Sequence, residues 1–138
     1  MSDISDAADL IATARDALLA EVLPSLPKDR RYTALMIANA MATAMREERL
    51  GFDAARSEAA RLRNLLDAIG APTARAADPI DTELATLRAC IRDAIRDGRF
   101  DAAERWKVLV ATLLHTASDR VAISNPKALR AEAAAAPR

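Results

Sequence analysis

Residues 32–45, YTALMIANAMATAM, constrain the fold more than any other stretch of the chain. Drawn as a helix, the segment is apolar or small on most sides: Leu35, Ala38 and Met45 lie on one, Ile37, Met41 and Ala44 on another. A helix with no wet face needs neighbours around it, so the expected fold is an all-α bundle with this second helix at its centre. Alanine makes up about a quarter of the 138 residues, and β-branched and aromatic residues are scarce, which favours helices over strands. The many alanines would let neighbouring helices approach closely. The length suits a single domain.

Helix punctuation divides the chain into about five helices in one antiparallel-type bundle. The first is expected from Ser5 as N-cap, with Asp6 and Asp9 in its first turn and an apolar stripe of Leu10, Ala14, Ala17, Leu18 and Val22. Pro24 and Pro27 end it. The second runs from about Arg30 to Arg49, and LGFD makes a turn in which Gly51 caps one helix and Asp53 starts the next. The third carries Ala55, Ala59, Leu62, Leu66 and Ile69, an amphipathic stripe, and ends at Gly70. Residues 70–79 are the longest connection and the best place for a crossover or disorder. Asp78 followed by Pro79 starts a fourth helix, whose stripe is Ile80, Leu84, Leu87, Ile91 and Ile95 and whose end is Gly98. Asp101 and Glu104 form a capping pattern for the fifth, with stripe Trp106, Leu109, Val110, Leu113, Ala117 and Val121, stopped by the SNP of residues 124–126. Residues 1–125 thus form the bundle domain, and residues 126–138 form a tail expected to fray.

Charge and motif content exclude several functions. Lys plus Arg and Asp plus Glu are balanced at 20 each, so the basic excess typical of nucleic-acid binders is missing. Arg56, Arg61 and Arg63 are interleaved with Glu47, Glu48, Asp53 and Glu58 and read as solvated helix faces. One cysteine, Cys90, excludes an intramolecular disulfide and suits a reducing cytoplasm. The acidic start MSDISDAADL lacks the basic region of a signal peptide, and no apolar run reaches the length of a membrane span. There is no glycine-rich phosphate loop and no His/Cys/carboxylate cluster at metal spacing, so no cofactor or metal is expected. His115, the single histidine, reads as structural or surface, and Cys90 as a small buried hydrophobe.

Asn39 stands out inside the apolar segment. Tyr32, Met36, Asn39, Thr43 and Arg46 lie along one helical strip with polar ends and a polar middle. Buried, Asn39 would need hydrogen-bond partners and would fix helix register; alternatively the strip lines a pocket or partner groove, with Tyr32, Asn39 and Arg46 as polar contacts. Around Asp119 and Arg120, the reading is an exposed helix edge or a paired charge closing the bundle end, where Asn125 caps the helix. Met36, Met41 and Met45 read first as core filling and second as an adaptable binding surface. Trp106 fits a core rim or an interface anchor.

Three stretches, LLAEVLPSLP, RRYTALMIANAMATAMREE and DRVAISNPKAL, make the chain resemble an uncharacterised bacterial all-helical family, a domain of unknown function, across about residues 5–129. Members of that family often carry a histidine where this chain has Thr33. The family is often encoded beside genes for an acyl-CoA dehydrogenase and an aminoglycoside-phosphotransferase-like kinase. The resemblance implies a helper of such an enzyme pair. With the charge balance, the single cysteine and the lack of a membrane span, the expectation is a cytoplasmic, non-catalytic accessory or interaction protein, with a homodimer as one candidate assembly and no nucleic-acid or membrane partner. On the matched motifs, the residues to examine are Tyr32, Met36, Asn39, Arg46, Arg120 and Asn125. A small-ligand bundle for an acyl or CoA group is the alternative; it requires a cavity at Met36 and Asn39 with Arg30, Arg31 or Arg46 near its mouth. An enzyme without a recognisable motif ranks third.

Overall fold

The computed structural model describes residues 6–73, 76 and 78–135. Among these residues the chain forms α1 (Ala7–Ala17), α2 (Lys28–Ala68), α3 (Ile80–Arg96), α4 (Ala103–Ser124) and α5 (Pro126–Ala135), with no strand. The bundle is all-α and α2 is its axis: α1, α3 and α4 pack on α2, and α5 packs on α4.

The largest departure from the sequence reading is at Gly51. The expected turn does not form, and the second and third expected helices are one helix of 41 residues. Gly70 and Gly98 do end helices, at φ 64° and 73°. Each forms the same carbonyl-capping arrangement: Ala71 N–H donates to Leu66 O and Gly70 N–H to Asp67 O, then Arg99 N–H to Ala94 O and Gly98 N–H to Ile95 O. Gly51 differs because helix-forming sequence continues beyond it, and a helical glycine costs only about 0.5–1 kcal/mol against alanine. The fifth helix is instead the segment after Asn125. Pro126 begins it, and only Pro126 and Leu129 are half-buried.

Helix starts shift by a residue or so. Ser5 lies outside the described residues, and Asp6 is the N-cap of α1, its carboxylate accepting from Ala8 N–H at 3.4 Å. The N-cap of α3 is Pro79 rather than Asp78. The Asp101–Glu104 capping pattern does not form; the N-cap of α4 is Ala102, without a side-chain bond. Between α1 and α2, a π turn (Leu18–Val22) and a 3-10 turn (Leu23–Ser25) lead to Pro27, so the two prolines break the chain where expected.

The two halves of α2 bury different faces. In the N-terminal half, Ala34, Ala38 and Ala42, one turn apart, are buried against α1, whose own buried residue is Ala8. Arg15 Nε donates to the Ala38 carbonyl at 3.1 Å and sets the rotation of α1. Consequently α1 turns inward through Ala8, Ile11, Ala12 and Arg15, whereas Leu10, Ala14 and Ala17 of the expected stripe are exposed. In the C-terminal half, Ala59, Leu62, Leu65 and Leu66 join Leu84, Leu87, Ile91 and Ala94 of α3, with Phe100 and Leu109, in the main core.

The connection after Gly70 is a crossover. Ile80, at the start of α3, lies by Ala54 and Ala55, while Arg99, just past its end, donates to the Ile69 and Gly70 carbonyls. The α3 helix therefore runs parallel to the C-terminal half of α2, which corrects the antiparallel-type expectation. In contrast, α4 runs antiparallel to α2: Leu109 joins the core by Leu66, Asp119 reaches Arg61, and Ile123 reaches Arg46.

Candidate functional site

Pro27 fixes the start of α2, and the alanine stripe commits one of its faces to α1. The remaining faces of the first four turns are largely left open by the described residues. Tyr32 is 72% exposed, Leu35 49%, Met36 50% and Ile37 46%, and Thr33 and Ala40 are exposed beside them. The helix expected to be surrounded is thus surrounded on one side only. Met36 does not fill the core, while Met41 and Met45 are half-buried.

Asn39 is on this exposed surface and is not buried. Its backbone carbonyl accepts from Thr43 Oγ1 at 3.2 Å, and its side-chain amide has no hydrogen bond among the described residues. Nothing among the described residues needs the Asn39 side chain for register. Neither Met36 nor Asn39 lines the polar cavity beside Arg120, the groove between α3 and α4 or the hollow beside Cys90.

The strip does lead to the second polar segment. Arg46 Nε donates to the Ile123 carbonyl and its Nη2 to Thr43 Oγ1 at 3.1 Å. Ile123 O is one of the last carbonyls of α4, so Arg46 caps that helix where its dipole favours a cation. Asn125 is the C-cap residue itself, its N–H donating to Val121 O at 2.8 Å. Of the six residues singled out from sequence, the fold therefore brings Arg46 to the chain segment between Arg120 and Asn125. Tyr32, Met36 and Asn39 remain on the open surface.

Arg120 lines a polar cavity of about 310 Å³ where the middle of α2 meets the start of α3 and the end of α4. Arg61 crosses its wall, with Nη2 2.8 Å from Asp119 and 3.2 Å from Thr116 Oγ1. Asp119 thus pairs with α2 and not with its neighbour Arg120, while His115 stays largely exposed with Nε2 3.9 Å from it. Five carboxylates, Glu47, Glu48, Glu58, Asp81 and Asp119, line this cavity against Arg61 and Arg120. No group of three His, Cys, Asp or Glu residues among the described residues is arranged to hold a metal ion.

Two ion pairs were not anticipated from the sequence. Glu58 and Glu83, read as surface or not singled out, are buried. Arg88 makes a two-pronged contact with Glu58 at 2.8 and 2.7 Å, and Arg63 pairs with Glu83. Each arginine reaches back toward the start of its helix, as helical side chains do, so the two contacts cross between the parallel helices. The hydrogen bonds that Arg88 donates to the Glu58 carboxylate raise the Arg88 pKa above its ordinary value, against the opposing effect of burial. Arg88 is therefore protonated, folded or unfolded, throughout the neutral range and adds no pH dependence there. The signal was available: Glu58 adjoins Ala59 and Glu83 adjoins Leu84, so both carboxylates sit at the edge of a buried stripe.

Between α3 and α4, over Leu62, lies an apolar groove of about 460 Å³ walled by Ile91, Ile95 and Leu113, with Arg88, Arg92 and Arg96 along its α3 side. Trp106, at 54% exposure, stands on the outer surface of α4 and not at the core rim. Cys90 is half-buried and packs against the core. No helix among the described residues is long and apolar enough to cross a membrane.

No curated protein and no solved structure matches the chain. One family model, described as a domain of unknown function (DUF6285), matches residues 24–128, from the proline turn before α2 to the first turn of α5, and the chain belongs to that family.

Proposed function

We propose that this protein is a non-catalytic helical interaction module whose binding surface is the uncovered N-terminal half of α2. The observation that carries the reading is the exposure of Tyr32, Leu35, Met36 and Ile37 on one short helical segment. Single exposed apolar residues are ordinary, but contiguous ones mark contact surfaces. The methionine and the aromatic ring are suited to an adaptable interface. The partners we propose are the acyl-CoA dehydrogenase and phosphotransferase-like kinase encoded beside bacterial members of the family, with the protein acting as their cytoplasmic accessory.

The test is affinity purification of tagged wild type and Met36→Glu from the native host, followed by mass spectrometry. Stoichiometric recovery of either enzyme with wild type, and its loss with Met36→Glu, is the expected outcome. Identical recoveries from both proteins would remove the α2 surface from consideration.

A second reading has one observation in its favour. The groove between α3 and α4 combines an apolar lining with three arginines, the chemistry that holds an amphipathic anion such as an acyl carboxylate. It differs from the sequence expectation in location, being remote from Asn39. Native mass spectrometry of gently purified protein decides it: an adduct lost on Ile91→Trp supports the groove, and protein of bare mass throughout opposes it.

A further inference from the structure

We propose that the exposed α2 face is an isologous dimer interface, with α2 of a second copy lying antiparallel and the two-fold axis at Asn39. The inference rests on the reading of this face as a contact surface: in the free protein its occupant is a second copy of this chain, which an enzyme partner would have to displace.

Symmetry of spacing is the first support. Tyr32 and Arg46 lie seven residues either side of Asn39, and Leu35 and Thr43 lie four either side. An antiparallel partner therefore places Tyr32 against the partner's Arg46, a pairing in which a planar guanidinium stacks on an aromatic face. Leu35 and Met36 fill the contact between that pair and the axis. A two-fold demands this self-complementarity, since every contact must recur in reverse.

Asn39 is the second. Its amide is exposed with no hydrogen bond among the described residues. A carboxamide carries both donors and an acceptor. Two copies meeting on the axis satisfy each other, whereas an apolar partner surface would strand the amide in a dry contact. The amide that looked misplaced in an apolar helix is well placed at the centre of a symmetric interface.

Charge is the third, and it sets the direction. At the far end of the strip, Arg49 is paired with Asp9 at 3.0 Å, while Arg46, bonded to the neutral Ile123 carbonyl, keeps its charge and offsets one carboxylate. Glu47 and Glu48 are left exposed and without a partner among the described residues. At the near end, Lys28, Arg30 and Arg31 outnumber Asp29, which pairs with Arg30 at 3.8 Å, and among the described residues Arg31 donates only to the neutral Pro24 and Leu26 carbonyls. These ends are ~25 Å apart along the helix, beyond the screening length of roughly 8–10 Å. Each end therefore feels only what is brought beside it. Antiparallel pairing brings the basic end to the partner's acidic end, and parallel pairing brings like to like.

The test uses the full chain. Sedimentation velocity over a concentration series should show a reversible monomer–dimer equilibrium, with Met36→Glu raising the dimer Kd by about 100-fold or more. Circular dichroism checks that this variant folds, and Met36→Ser replaces it if it does not. In a Cys90→Ser background, Asn39→Cys should form a disulfide-linked dimer under mild oxidation, because residues on the axis approach closely. Tyr32→Cys should not, since its symmetry mate is far along the partner helix. Linking through both positions would overturn the antiparallel arrangement. A dimer indifferent to Met36→Glu and not linked by Asn39→Cys would overturn the interface. A chain that stays monomeric at every concentration would overturn the dimer alone, and the affinity purification above would still decide the wider interaction reading.

Discussion

One helix, α2, has two unlike halves. From Glu58 to Leu66 it buries leucines against the leucine and isoleucine side chains of α3, with Phe100 and Leu109 closing the cluster. From Ala34 to Ala42 it buries three alanines against α1 and leaves its larger apolar side chains in solvent. Helix period and apolar content are similar in the two halves, so the difference lies in what the chain brings alongside. Three buried alanine methyls contribute little, on the order of 0.8 kcal/mol for each carbon-sized group, against ~1.5–3 kcal/mol for a fully buried leucine or phenylalanine. The C-terminal half should hold the stability of the domain, and the N-terminal half should be the more easily opened part and the one with surface to offer.

Four substitutions test that contrast. Phe100→Ala, in the C-terminal core, should lower global stability by ~3–5 kcal/mol in urea denaturation, because a fully buried ring leaves a cavity. A loss below ~1 kcal/mol would mean the core does not carry the fold. Ala38→Leu overpacks the close α1 contact and should cost ~1–3 kcal/mol, with faster hydrogen exchange confined to α1 and the start of α2. Acceleration spread equally into α3 would mean the halves open as one unit. Gly51→Ala should raise stability by ~0.5–1 kcal/mol. The nearest neighbours of the new methyl all belong to the Glu47 side chain, Oε1 at 2.8 Å, Cδ at 3.1 Å and Cγ at 3.5 Å, the movable end of a flexible side chain. Destabilisation there would restore the turn expected from sequence and split α2 in two. Met36→Glu, measured on the monomer at high dilution, should shift stability by no more than ~0.5 kcal/mol, because half of the side chain is already in water. A larger loss would show that Met36 is covered within its own chain.

Much of this architecture was legible. Leu84, Leu87 and Ile91, and likewise Ala59, Leu62 and Leu66, are buried as their spacing requires, since helical period alone decides which side chains share a face. Gly70, Gly98, Pro24 and Pro27 break the chain where expected, because left-handed backbone and a missing N–H are local properties. Gly51 was misread because a glycine in a helix and a glycine at its end look alike until the backbone angle is known. The α1 stripe was misread because Leu10 and Ile11 both suit an apolar face, and the Arg15–Ala38 contact that sets the rotation spans 23 residues of sequence. At the candidate site, Asn39 was identifiable as unusual, but its exposure was not, since exposure depends on which neighbours arrive.

Alanine content, helical period and helix-breaking residues determined by themselves that this chain is an all-α bundle built around its second helix, because each acts within a few turns of backbone. Only the tertiary structure decided that α3 runs parallel to α2, that Glu58 and Glu83 are buried with arginine partners, and that the most apolar segment is covered on one side. Those outcomes depend on distances between segments tens of residues apart, where the return of the chain after Gly70 fixes what each helix face meets.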